Sequence, residues 1–449
     1  MITLVYTKEG GCPAPAAPHW RGGRGETLKT WRALAAAAAL SLALAGCGGG
    51  AGESDNKLTV WLMDGSAPDV LIDELNKEFE QTHPGMKVDY QIQQWNGIQD
   101  RLTTALTSND PPDVIELGNS QTAQFSSEGT LLDLTADAEG MNKSQWVPAL
   151  AESGAWEGKQ YAVPFYAANR VFVYNKELFQ QAGITQPPTN RDELLATITK
   201  LEQKHGGDPD FQSLYLPGQS WYALLSFIWD SGGDLAVRDG ANYQGALDTP
   251  GAREGVEFYQ QLVKTSATSA PADTDEAEPQ QAEVYAKGKV AMMIALPWEV
   301  QTAAKTNPQI AELSGAFPIP SKHPGKTAPV FLGGSTLAIP AGSADAAAAK
   351  DWLRLLTSQK YQTEIADSGV VPGASQDTSS LEKSPVSAAM AVASRDGKVP
   401  PAVPQWAAIE SGQNPLKDMM TAVLTGQKSV VDATMEANDK ITKALAGNN

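Results

Sequence analysis

From Leu58 onward, apolar residues recur at two spacings that alternate along the chain. Leu58 to Met63 alternates as a half-buried strand does, with period two. After Asp64-Gly65-Ser66, residues Leu71, Leu75 and Phe79 lie four apart with Ile72 beside them, which predicts one face of a helix. His83-Pro84-Gly85 stops that helix. Val88, Tyr90 and Ile92 predict a second strand, and Ile98, Leu102 and Leu106 a second helix. Asn109–Pro112 turns the chain into a third strand, Asp113–Leu117. Strand, helix, strand, helix, strand implies right-handed crossovers and a mostly parallel sheet. In open α/β sheets ligands bind beyond the carboxyl ends of strands. Asp64-Gly65-Ser66 and Gly118-Asn119-Ser120 occupy such ends and are candidate cleft residues.

The stretch Gly158–Phe179 organises the rest. Tyr161–Phe165 predicts a short strand, interrupted by Pro164, which cannot donate to a central ladder. Val171–Tyr174 is an unbroken β-branched and aromatic run, the pattern of a buried strand. The small and polar residues Ala167, Ala168, Asn169 and Arg170 join the two, which suits a crossing between lobes. Beyond it, Asn190 and Glu193 predict a capping box that opens a helix carrying Leu194, Leu195, Ile198 and Leu201. A helix is predicted from Gln219-Ser220-Trp221-Tyr222 through Trp229, and another from Thr249-Pro250 through Val263. Thr265–Pro279 reads as a polar, acidic, mobile loop. Lys289–Ile294 predicts a strand that ends at Pro297-Trp298-Glu299, and Val330–Pro340 an extended run through Gly333-Gly334-Ser335. The remainder reads as mostly helical, and no repeat recurs at a fixed period.

Composition changes the picture at the N-terminus. A basic region ends at Arg32, and Ala33–Ala45 is an apolar run of 13 residues, too short for a spanning helix of roughly 20. It closes on Leu44-Ala45-Gly46-Cys47, followed by glycines and a Gly/Ser/acidic tether over 47–56. This is similar to the lipobox of bacterial lipoproteins, which implies a signal peptide at 1–46 and a lipid on Cys47. An ordinary secretory signal with a free cysteine is the plainer alternative. Cys12 would leave with the signal, so the mature chain holds no disulfide. The net charge of the 449 residues is −18, and nearer −21 once residues 1–46 are set aside. Such a surface excludes nucleic acid and phospholipid surfaces as natural partners. Four scattered histidines provide no metal-ligand spacing, and no cofactor is expected.

Six segments in order resemble the extracellular solute-binding proteins of carbohydrate importers, the family that includes maltodextrin-binding protein. They are LTVWLMDGS at 58–66, PPDVIELGNS at 111–120, GKQYAVPF with VFVYNKELF around the crossing, KGKVAMMIALPW at 287–298, FLGGSTLAIP at 331–340, and the closing helices. The resemblance implies an α/β, two-lobed periplasmic-binding-protein-like (type II) fold. Each lobe would be a mostly parallel sheet flanked by helices, with a hinge and an interlobe cleft. Lobe 1 would comprise 57–166 and 327–371, and lobe 2 would comprise 167–326 and 372–449. Carried over position by position, the family's sugar-contacting places fall on Asp64, Asn119, Asn169, Arg170, Trp221, Trp298, Gly334, Ser335 and Trp406. Where maltodextrin-binding protein has a cleft glutamate in the hinge, this chain has Ala168, a departure that counts against maltodextrin as the ligand.

The residue types suit a sugar. Aromatic rings cover the apolar faces of a pyranose, while amides, carboxylates and guanidinium groups hold its hydroxyls. Trp298, after Pro297 at a strand end, is read as a stacking platform. Tyr222 or Trp229 could be the stacking ring in place of Trp221, Trp95 could face cleft or core, and Arg170 could form a hinge ion pair instead. Gly325-Lys326-Thr327 resembles a phosphate loop but has Pro320 where the first glycine is required. Gly333-Gly334-Ser335 lacks the last glycine of a nucleophile elbow. The expectation is a non-enzymatic, monomeric lipoprotein on the extracellular face of the membrane. It would capture a di- or oligosaccharide and deliver it to the permease subunits of an importer. A binding protein for a polyamine or peptide, or a secreted glycan hydrolase, are the rival readings.

Overall fold

The computed structural model describes residues 56–447 except 241 and 375–378. The predicted signal peptide, Cys47 and the tether up to residue 55 lie outside the described residues. Strand Lys57–Met63 pairs in parallel with Lys87–Gln93 on one side and Val114–Gly118 on the other. The helix between the first two, Asp69–Thr82, buries Leu71, Ile72, Leu75 and Phe79, the predicted stripe. The parallel order stops there. Gly333–Ala338 returns from far along the chain and pairs antiparallel with both Val114–Gly118 and Ala162–Ala168. Val371–Pro372 closes that edge, so the six-stranded sheet is mixed.

Ala162–Ala168 is an interior strand despite Pro164, and the register shows how. Ser335 pairs with Tyr166 while Thr336 pairs with Pro164, so one residue is skipped at a bulge. The irregularity accommodates a residue with no N–H to donate. At Gly334 the backbones come closest: a Cβ there would lie 2.1 Å from the Tyr166 carbonyl oxygen, and φ is +120°. Only glycine fits that position.

The second sheet is built on Val171–Asn175, flanked antiparallel by Met292–Ala295 and Ser314–Phe317. Single parallel bridges, Gln212 with Val290 and Tyr215 with Met293, extend it. Phe172 stacks on its cross-strand partner Phe317 with ring centres 5.1 Å apart and planes 3° from parallel. Helices Arg191–His205, Trp221–Asp230 and Pro250–Ser266 supply much of the remaining packing. Asn190 caps the first of these by accepting from the Glu193 N–H at 3.0 Å. The reciprocal half of the predicted capping box is displaced by one residue, because the Glu193 carboxylate takes the N–H and hydroxyl of Thr189 instead. Gly255 lets two helices touch backbone to backbone, since a Cβ there would lie 2.6 Å from the Ile228 Cα.

Two large apolar cores result. One is drawn from the first sheet and its helices, with residues from Leu58 to Ala168 and again from Leu337 to Ala374. The other runs mainly from Val171 through Leu332 and resumes in the C-terminal helices to Leu445. The segment predicted as a mobile loop is instead tied down. Gly218 and Gln219 donate backbone N–H groups to Pro271 and Thr274, and Asp275 pairs with Lys417 at 2.8 Å. Among the described residues no helix is long and apolar enough to cross a membrane.

Candidate functional site

A cavity of about 420 Å³ lies where the two sheets meet. Its floor is the crossing itself: Ala168 ends one strand, Gly333 and Gly334 pair beside it, and Arg170 begins the way into the second sheet. Asn119 and Ser120 enter from the carboxyl end of Val114–Gly118, as strand topology requires. Two tryptophans reach the same cavity from different sheets. Trp95 follows the edge strand Lys87–Gln93, and Trp298 opens the helix Pro297–Thr306 after Met292–Ala295. They are 42% and 46% exposed, unusual for rings of this size in a protein with ample core.

The same cavity wall carries a connected polar group. The Arg170 guanidinium pairs with the Glu276 carboxylate and sits 4.8 Å from the centre of the Tyr222 ring. The Tyr222 hydroxyl donates to Glu410, and its ring stacks on Phe331 at 4.4 Å and leans on Trp221 at 3.9 Å. Burial pushes the Glu410 carboxyl up, and the Tyr222 and Ser120 hydroxyls draw it partly back. Burial, with the Glu410 charge, raises Tyr222 well above the usual phenol range, so its proton stays in place to donate.

Two buried carboxylates hold the walls from behind. Glu116, on the central strand, accepts the Met63 N–H and the Ser66 hydroxyl, each at 2.7 Å, and so fixes the turn after the first strand. The Ser66 oxygen lies 3.3 Å from the Tyr166 hydroxyl, whose residue lines the cavity. Glu299 accepts the Leu296 N–H at 2.6 Å and the Gln281 amide at 2.8 and 2.9 Å. It thereby anchors the first turn of the helix that carries Trp298. Burial raises both carboxyls to about 7, against the hydrogen bonds that favour their charged forms.

Of the nine residues anticipated from sequence, the structure gathers Asn119, Arg170, Trp298 and Gly334 in the cavity wall. Asp64 is exposed on its turn, 3.4 Å from the Gln94 amide, and does not line the cavity. Asn169 and Ser335 are fully buried beneath the floor. Trp221 packs behind Tyr222, because the next residue on a helix is rotated by about 100°. Trp406 is wholly inside the second core. From the same helix Ala407 and Glu410, three residues apart and hence on one face, line the cavity instead. Tyr222, named from sequence only as an alternative to Trp221, lines the cavity, whereas Phe331, Glu410 and Tyr166 were not singled out as site residues. For Tyr222 and Glu410 the signal was present as helical spacing from a neighbouring tryptophan, but spacing alone does not say which face meets the cleft.

An α/β fold with two cores and an aromatic-walled polar cavity at their junction defines a binding protein for a small solute. The chain belongs to the bacterial extracellular solute-binding proteins, whose family model matches residues 48–363. Its fold is the two-lobed periplasmic-binding-protein type. It is 42% identical over 390 residues to the diacetylchitobiose binding protein DasA of Streptomyces coelicolor, across 87% of this chain and 90% of that one. Among solved structures, the GacH receptor of Streptomyces glaucescens, determined unliganded and with acarbose, superposes with a TM-score of 0.71 at 25% identity. That match covers 88% of this chain and 99% of the receptor. The sugar-binding protein MalE of Xanthomonas citri shares the fold, with a TM-score of 0.76 at 23% identity over 87% of this chain and 98% of MalE.

Proposed function

We propose that this protein is the substrate-binding lipoprotein of a carbohydrate ABC importer and that it captures a short amino sugar of the diacetylchitobiose type. The observation that carries the reading is the pair of half-exposed tryptophans, Trp95 and Trp298, on a cavity whose polar groups cluster around Tyr222. Rings of this kind cover pyranose faces while the polar cluster holds the rim. The cavity, about 420 Å³, is near the small end of the usual range of roughly 300–1,000 Å³, which favours a disaccharide over a long chain. The relative that is 42% identical is named for diacetylchitobiose, and Ala168 in place of a hinge glutamate counts against maltodextrin.

Lobe 1 is taken as 57–166 with 327–371, and lobe 2 as 167–326 with 372–449; the two cores follow this division in the main, but Ala328, Val330 and Leu332 pack in the second core and Ala168 and Ala374 in the first. The sugar stabilises the closed arrangement through contacts with both lobes, and only this differential affinity shifts the balance between open and closed forms. The importer's ATPase supplies the transport energy, so the binding protein acts without a catalytic residue. It works as a monomer on the outer face of the membrane, held by lipid on Cys47.

The test is a thermal-shift screen of the purified protein against diacetylchitobiose, cellobiose, maltose, spermidine and a short peptide. Saturation at a hundred times Kd adds about 2.7 kcal/mol of stability. A rise in Tm with diacetylchitobiose is expected. A response only to spermidine or peptide would overturn the sugar reading, and shorter products after incubation with oligosaccharides would point to a hydrolase.

A further inference from the structure

We propose that Gln281 and Glu299 are positioning residues for sugar capture: together they clamp the turn that presents Trp298 to the cleft. The inference deepens the sugar reading above and rests on it. Trp298 is half exposed, so packing alone does not fix its ring. Its placement comes from the backbone on either side. The Gln281 side-chain amide donates to the Ile294 carbonyl oxygen at 3.0 Å and to the two Glu299 carboxylate oxygens at 2.8 and 2.9 Å. Its two N–H groups suffice for both tasks. Ile294 lies in the strand that leads to Trp298, and Glu299 is the residue after it, so one amide brackets residues 295–298. Within the bracket, Glu299 also accepts the Leu296 N–H at 2.6 Å, and Pro297 fixes its own φ.

A helix start alone does not call for this arrangement. In the same chain Glu193 serves the start of Arg191–His205 from an exposed position, taking the Thr189 N–H and hydroxyl. Glu299 and Gln281 are 5% and 1% exposed, and burying a carboxylate carries a desolvation cost that an exposed cap avoids. The clamp is also tied to the crossing between the sheets. The Gln281 backbone N–H donates to the Glu276 carbonyl oxygen at 3.0 Å, and the Glu276 carboxylate pairs with Arg170. Arg170, Leu296 and Trp298 all line the cavity, so the platform and the crossing share one hydrogen-bonded frame. A ring held in place before the sugar arrives loses little freedom on binding, and the difference appears as affinity. Without the clamp, the ligand itself must order the ring.

The experiment is a double-mutant cycle on the purified protein: wild type, Gln281→Met, Trp298→Ala and the double variant. Each is titrated by calorimetry with diacetylchitobiose, or with cellobiose or maltose should only one of those bind. Gln281→Met keeps the length of the side chain and removes both N–H groups. It is expected to weaken binding roughly three- to tenfold. In the Trp298→Ala background, titrated at high sugar concentration, the same change is expected to weaken binding by less than about twofold, because the ring it positions is gone. Melts without ligand verify that each variant is folded at the titration temperature. If Gln281→Met fails to fold, Glu299→Gln takes its place: Gln281 cannot donate to both Ile294 and an amide at 299 as it does to the carboxylate, and the same pattern is expected. An equal loss with and without Trp298 shows a general structural role and overturns the inference, as does no loss in either background. Both results leave the sugar reading standing. A wild-type protein that binds none of the three sugars removes the sugar reading and the inference with it.

Discussion

At the scale of single residues, the cleft separates side chains whose work is binding from those whose work is support. Trp298 is 46% exposed, so its truncation removes little packing. Trp298→Ala is expected to weaken sugar binding by roughly 2–4 kcal/mol, as aromatic hot spots do, with the unliganded Tm nearly unchanged. Calorimetry and a melt of the same sample check this. A large fall in Tm with near-normal affinity would mean the ring is structural. Glu116 is the opposite case, fully buried and hydrogen-bonded to the turn at Met63–Ser66. Its carboxyl rises from an ordinary 4.5 to about 7 in the folded protein. Folding therefore favours the protonated form. Stability from this group is fully present below about pH 4.5 and is lost as pH rises toward 7, where the folded protein must also ionise it. Glu299 follows the same rule in the same window. Glu116→Gln is expected to flatten, without abolishing, the fall of Tm between pH 5 and 7, since Glu299 remains. An unaltered profile would show that Glu116 is not the titrating group.

At the scale of elements, the constraints come from where backbones approach. Helices Trp221–Asp230 and Pro250–Ser266 meet at Gly255, where any side chain would press on the Ile228 backbone. Backbone cannot step aside as a flexible side chain can. Gly255→Ala is expected to destabilise the protein by about 1–3 kcal/mol, as overpacking does, and to shift Tyr222 at the cleft end of its helix. A denaturant melt reads the first effect, and weaker sugar binding at temperatures where the variant is folded reads the second. A variant as stable as wild type would show that the helices slide apart at little cost. The same scale explains the interior proline. Alternation and turn signals marked a strand near Tyr161–Phe165, but the bulge opposite Pro164 depends on the register of Gly333–Ala338, more than 160 residues away.

At the scale of the whole molecule, the chain crosses between its two cores at Asn169-Arg170, again before Gly333, and a third time after Ala374. Crossings of this kind act as a hinge when a ligand touches both sides. Small-angle scattering of the purified protein is expected to show a smaller radius of gyration with saturating diacetylchitobiose than without it. An unchanged profile at saturation would argue for a rigid cleft. Membrane attachment is separable from this motion. Cys47→Ser is expected to abolish lipid labelling and to release the protein or stall its processing, and normal labelling of that variant would refute the anchor.

Much of this protein was determined locally, by period and by terminator. The stripe Leu71, Ile72, Leu75 and Phe79, the buried run at Val171–Asn175 and the strand-end turn at Gly118–Ser120 were all legible, because helix and strand periods are set by backbone geometry within a few residues. What only the tertiary structure decided was direction and partnership. The parallel order of the first three strands gave way to antiparallel pairing where Gly333–Ala338 returned, since strands brought together from distant segments carry no local mark of their relative sense. The loop at 265–279 read as mobile from its polarity, but Asp275 and Glu276 found cations on other elements. In the cleft, a helix turned by one residue exchanged Trp221 for Tyr222, and another offered Glu410 while burying Trp406. Sequence limits which side chains stand near a site, and packing of the whole chain selects the face that meets it, because burial is shared among all the elements at once.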